Sequence, residues 1–104
     1  MPYKISFGRF RYDSASALIK DIRNVFKSYP DKTPLKNIDD HEFVEGLFRL
    51  HPDHTSKVSG RTLSHFEIHR NTGGSRCFYA LFKEGGMVDF SFHKAVAAAA
   101  RRQN

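Results

Sequence analysis

The chain has 104 residues, and its 17 Lys and Arg against 11 Asp and Glu give a formal net charge of +6. That length suits one domain over residues 1–104, because either half alone is too small to bury a core. Cys77, the only cysteine, excludes an internal disulfide and suits a reducing compartment. No apolar run approaches the roughly 20 residues of a membrane span, and Met1-Pro2-Tyr3-Lys4 lacks a secretory core, so the expectation is a soluble, cytoplasmic chain without a membrane partner.

The positive excess is unevenly placed. The stretch to Tyr29 and the stretch from His54 onward are basic, whereas the part between them gathers Asp31, Asp39, Asp40, Glu42, Glu45 and Asp53. Such segregation predicts a basic face and an acidic face, and a net positive field raises the local concentration of polyanions.

Taken in chain order, Tyr3 to Tyr12 reads as one strand with a bulge at Gly8, since Ile5 and Phe7 fall on one side and Phe10 and Tyr12 on the other. Asp13 and Ser14 offer an N-cap to a first helix, in which Ala15, Leu18, Ile19, Ile22, Phe26 and Tyr29 recur at helical spacing until Pro30. Pro30 to Asn37 is a loop. Asp39 with Glu42 predicts a capping box opening a second helix, whose apolar stripe is Phe43, Val44, Leu47 and Leu50 and which ends near His51 before Pro52. Pro52 to Arg61 reads as a polar connection and as the longest loop.

From Thr62 the apolar period changes to two. Phe66 and Ile68 alternate with His65, Glu67 and His69, then Asn71 to Gly74 turns the chain into a strand over Arg76 to Lys83. Glu84-Gly85-Gly86 turns it again into a strand with Val88, Phe90 and Phe92 on one side, and an Ala-rich segment to Arg102 predicts a short last helix with Arg101 and Arg102 at its negative end. The fold class is therefore α+β: an antiparallel sheet of three to four strands, two amphipathic helices on one face and a short C-terminal helix. The helices are expected to bury Phe66, Ile68, Phe78, Phe90 and Phe92, leaving His65, Glu67, His69, Cys77, Tyr79, Asp89 and Ser91 on the open face.

No pattern of catalysis emerges from these residues. One thiol without a second close ligand pair argues against a zinc site built from His51, His54, Cys77 and His93. Nothing in the spacing activates Cys77 as a nucleophile, and Asp89 and Ser91 read as a helix cap before a base or nucleophile. Gly73-Gly74 and Gly85-Gly86 lack the strand, loop and helix order of a phosphate cradle. What the open face does offer is Tyr79, His65 and His69 framed by Lys57, Arg61, Arg70 and Arg76, rings for stacking with cations for phosphates. Its plainest alternative is a solvated sheet face.

The residues His51-Pro52, Lys57-Val58 with Gly60, Ser75-Arg76-Cys77-Phe78 and Asp89-Phe90-Ser91-Phe92-His93-Lys94 carry a resemblance to the DCL family, named for defective chloroplasts and leaves. The domain is also similar to one at the C-terminus of the largest subunit of plant RNA polymerase V. Ser59 stands where the family tends to have a glycine, Phe92 where it has tyrosine and Ala95 where it has cysteine; the missing cysteine argues further against a paired thiol or a metal. The resemblance implies a DCL-like domain with a part in plastid ribosomal RNA processing for plant members, no established enzymatic activity, and uncharacterised bacterial relatives. Brevity and the missing transit peptide point to a bacterial source.

From these readings the leading expectation is an accessory module, without enzymatic activity or cofactor, that binds RNA or a ribonucleoprotein and assists ribosomal RNA processing. Its expected contacts are Lys57, Arg61, Arg70, Arg76, Tyr79 and Lys94, with Asp89 and Ser91 able to tie the meander to the last helix and Phe78 and Phe90 in the core. A protein partner meeting the acidic second helix is the alternative. A hydrolase or nuclease requires His51, His54, Asp89 and His93 to converge in one cleft.

Overall fold

A computed structural model describes residues 5–102; Tyr3 and Lys4, in the expected first strand, lie outside them. The N-terminal segment is a hairpin and not a bulged strand. β1 (Ile5–Phe7) and β2 (Phe10–Tyr12) pair antiparallel with Ile5 opposite Tyr12 and Phe7 opposite Phe10. Gly8 has φ +56°, the left-handed conformation that reverses the chain where a bulge would only bend it.

α1 (Ala15–Ser28) starts where expected, with the Ser14 hydroxyl accepting from the Ala17 N–H at 3.1 Å. Leu18, Ile22 and Val25 are its buried side. α2 (Ile38–Leu50) is capped by Asn37 and not by Asp39: the Asn37 side-chain oxygen accepts from the Asp39 and Asp40 N–H groups at 2.9 and 3.2 Å. Asp39 thereby becomes a first-turn acid, favoured by the helix dipole, and it and Glu42 turn outward to Arg9 at 2.6 and 3.1 Å. Gly46 lies within α2, where a Cβ would sit 2.6 Å from Cδ2 of Phe7. The hairpin packs its ring directly on the helix backbone.

The connection expected as a loop contains α3 (His54–Val58). One turn of helix with no buried residue leaves no apolar period to read. Its carbonyl end is held by Arg61, which donates to Lys57 O at 2.7 Å and Val58 O at 3.1 Å while its guanidinium lies 4.1 Å over the Phe82 ring. Ser59 closes α3 at φ 50°, ψ 44°, and Gly60 follows at φ +74°. Two successive left-handed residues end the helix, a conformation that costs least for glycine and is borne by Ser59 at the first position.

β3 (Leu63–Arg70), β4 (Arg76–Phe82) and β5 (Met87–Phe90) form the antiparallel meander in the order β3-β4-β5. The hairpin is a second, separate sheet. Phe66, Ile68, Phe78, Ala80, Phe82 and Phe90 are buried on the meander's inner face. Phe26 of α1 stacks on Phe78 at 4.5 Å, and Phe48 of α2 meets Phe66 at 5.9 Å and Phe90 at 4.9 Å. Phe92 does not continue β5: it opens α4 (Phe92–Arg102) and packs half-buried 5.8 Å from Phe26. α4 packs against α1 and α2 and buries Ala95, Val96, Ala98 and Ala99. The sheet is thus covered on one side by helices. Among the described residues no helix is long and apolar enough to cross a membrane.

Candidate nucleic-acid interface

Strand register decides what shares the open face. His69 stands opposite Cys77, and Glu67 and Asp89 flank Tyr79 from the two neighbouring strands. The dominant feature there is a carboxylate between two imidazoles: Glu67 Oε2 lies 2.8 Å from His65 Nε2, and Oε1 lies 2.7 Å from His69 Nε2. Burial alone would raise the Glu67 pKa, but the bonds to His65 and His69 outweigh it and hold the carboxyl below its ordinary range. The Tyr79 ring lies 5.1 Å from His69. Cys77 has its thiol pushed up by burial and by the Asp89 charge, with the Asn71 amide 3.7 Å from its sulfur. It is a protonated thiol and no activated nucleophile. Ser91 leaves this face, because it precedes α4, where its carbonyl accepts from the Ala95 N–H at 3.3 Å.

The basic rim has partners within the chain. Arg76 donates through Nε to Asp31 at 2.7 Å and through its two terminal nitrogens to the carbonyls of Phe26 and Tyr29, each at 2.5 Å, closing the end of α1. The Arg76 hydrogen bond, together with the Arg70 charge, holds the Asp31 carboxyl below its ordinary range. Arg70 also reaches Asp31, at 3.2 Å, and the Gly74 carbonyl at 2.8 Å. Arg61 is the clamp on α3 already described, and Lys57 lies 4.0 Å from Asp89. Asp89 thereby lies close to α3 without a hydrogen bond to it. Lys94, on the solvent side of α4, has no ion-pair or hydrogen-bond partner among the described residues.

The motif residues around α3 form a structural joint. His51 is 4 % exposed, its Nδ1 accepts from the Asp53 N–H at 3.0 Å, and its ring meets Phe90 edge-on. Burial, then the Lys57 charge, lowers its pKa. Pro52 fixes the exit from α2, and the backbone of Ser75 closes the β3–β4 turn on Asn71. His54 points edge-on into Phe48 and His93 lies against Phe92. Among the described residues the His54 N–H donates to the His51 carbonyl at 3.0 Å, but no two side chains of His51, His54, Asp89 and His93 hydrogen-bond to each other, and no group of three or more His, Cys, Asp and Glu is arranged to hold a metal ion.

Sequence reasoning predicted α1 but did not place its cations. Lys20, Arg23 and Lys27 recur at i, i+3 and i+7, on the side of the helix opposite Leu18, Ile22 and Val25. All three are exposed, and none has an ion-pair or hydrogen-bond partner among the described residues. With Ser16, Ile19 and Asn24 they line a shallow groove of about 470 Å³. The acid on the same helix, Asp21, turns aside to accept from the Tyr12 hydroxyl at 2.8 Å. The i, i+3, i+7 recurrence of cations was the available signal.

A family described as a protein of unknown function (DUF3223) matches residues 23–96. The chain belongs to this family. This DUF3223 member is 28 % identical over 102 residues to the DNA-directed RNA polymerase V subunit 1 of Arabidopsis thaliana, in a match taking in 85 % of this chain and 5 % of that protein. The chain thus corresponds to a small part of that subunit. In fold it is similar to an uncharacterized protein from Rhodospirillum rubrum solved in solution by NMR, with a TM-score of 0.79, 22 % identity, and coverage of 91 % of this chain and 89 % of that one. The matched span holds α2, α3, the meander, and Arg23 and Lys27 of α1.

Proposed function

We propose that this DUF3223 chain is a DCL-like, non-catalytic cytoplasmic module that binds RNA or a ribonucleoprotein and assists ribosomal RNA processing. One observation carries the reading: most acids have a hydrogen-bond or ion-pair partner within the chain while many cations do not. Asp31 is held by Arg70 and Arg76, Asp39 and Glu42 by Arg9, Glu45 by Arg49, Asp21 by Tyr12, Asp40 by Tyr29, Glu67 by two histidines and Glu84 by Thr62. Lys20, Arg23, Lys27, Lys32, Lys36, Lys83, Lys94 and Arg101 have no such partner among the described residues. With a formal net charge of +6, the charge left without a partner is predominantly positive, which favours a polyanion. Similarity to part of a DNA-directed RNA polymerase subunit supports a nucleic acid as that polyanion. Tyr79 and Lys94 remain as solvent-reaching contacts, with Lys57 beside them.

The test is titration of the purified chain with a pool of ribosomal RNA fragments at about 50 and about 200 mM salt. Binding that weakens steeply with salt is expected, since each neutralised phosphate releases counterions. Absence of binding at the lower salt would reject the RNA reading and leave a protein partner as the leading one.

A further inference from the structure

We infer that the exposed ridge of α1, Lys20, Arg23 and Lys27, is the surface that grips the RNA sugar-phosphate backbone, on the opposite side of the molecule from the open sheet face. The inference rests on the RNA reading above and names the surface within it. Three features single the ridge out. Its cations are unpartnered among the described residues, whereas Arg61, Arg70 and Arg76 donate to acceptors of this chain. They lie along one side of a helix of nearly four turns anchored by Leu18, Ile22 and Val25, so they form a row on a rigid support. The acid of α1, Asp21, accepts from the Tyr12 hydroxyl and forms no ion pair with the row.

The chemistry of the ridge favours phosphate over other anionic surfaces. An anionic bilayer is bound by helices that insert their apolar side, and here that side is buried in the core. Protein interfaces are anchored by aromatic and apolar groups in desolvated pockets, whereas the exposed ridge offers cations, a serine and an asparagine, with only half-buried Ile19 as an apolar member. Cations and small hydrogen-bonding side chains without a stacking ring match backbone contact, which carries affinity without reading sequence. The open sheet face, with Tyr79 beside His69 and with Glu67 and Asp89 alongside, is poor in free positive charge and is not the main phosphate surface.

The deciding experiment measures binding of the full chain to a mixed-sequence single-stranded RNA over a salt series. It compares wild type, Lys20→Glu/Arg23→Glu/Lys27→Glu, the corresponding Gln variant, and Lys57→Glu/Lys94→Glu. The α1 charge reversal is expected to weaken binding about tenfold or more, and the Gln variant to flatten the slope of log affinity against log salt by about two, the share of three phosphate contacts on a single strand. The Lys57/Lys94 variant is expected to change affinity less. Wild-type binding with an unaffected α1 variant would overturn the placement while leaving the RNA reading intact. No wild-type binding at low salt would overturn both, and circular dichroism on each variant shows that lost binding is not lost fold.

Discussion

The open face of the meander and the solvent side of α1 both present charged side chains, and the fold treats them differently. On and around the sheet, Glu67 sits between His65 and His69, Arg70 and Arg76 share Asp31, and Lys57 lies near Asp89. On α1, Lys20, Arg23 and Lys27 meet no partner among the described residues. A count of basic residues cannot separate the two, because a guanidinium with three protein acceptors within hydrogen-bond distance is occupied in a way an exposed lysine is not. Charge available for a ligand is what the internal hydrogen bonds leave over.

The change with the largest expected effect removes the joint beneath both regions. Phe78 is buried on the inner face of β4 and stacks on Phe26 of α1, so Phe78→Ala is expected to cost about 3–5 kcal/mol in chemical denaturation. Next comes the comparison itself. Arg76→Ala strips the donor from the Phe26 and Tyr29 carbonyls and is expected to cost about 1–3 kcal/mol, whereas the α1 triple Gln variant, touching no internal partner, is expected to stay within about 0.5 kcal/mol of wild type. Equal losses for the two would erase the distinction between engaged and free cations.

The smallest effect is one of pH. Because burial lowers the His51 pKa from its ordinary 6.5, the unfolded chain binds that proton more readily than the folded one. Stability from this residue is intact well above pH 6.5 and falls as pH drops through that value, so the linkage sign is a loss on acidification. His51→Asn keeps a side-chain acceptor for the Asp53 N–H and is expected to make thermal stability less dependent on pH between about 5 and 7. An unchanged pH slope would show that His51 is not held neutral by the fold.

Long periodic elements were legible in the sequence, and features set by tertiary contact were not. Leu18 with Ile22 and Phe66 with Ile68 announce their helix and strand, and alternation alone placed His65, Glu67 and His69 together outside. The capping of α2 was misread by two residues because Asp39 and Glu42 fit a capping box, and only the side-chain geometry of Asn37 decides between the two caps. α3 was missed because one turn with no buried residue has no period. The close approach of Phe7 to Gly46 joins a hairpin to a helix far along the chain, and no local pattern announces it. For the candidate interface, the residue types were visible but their partners were not: Asp31 lies 39 and 45 positions from the two arginines it engages.

Backbone amide shifts of the isotope-labelled chain, followed by NMR during titration with single-stranded RNA at low salt, test the central claim most directly. The largest changes are expected on the Lys20 to Lys27 segment of α1, with smaller ones near Lys94 and Tyr79. Changes concentrated on β3 to β5 with α1 unmoved would contradict it.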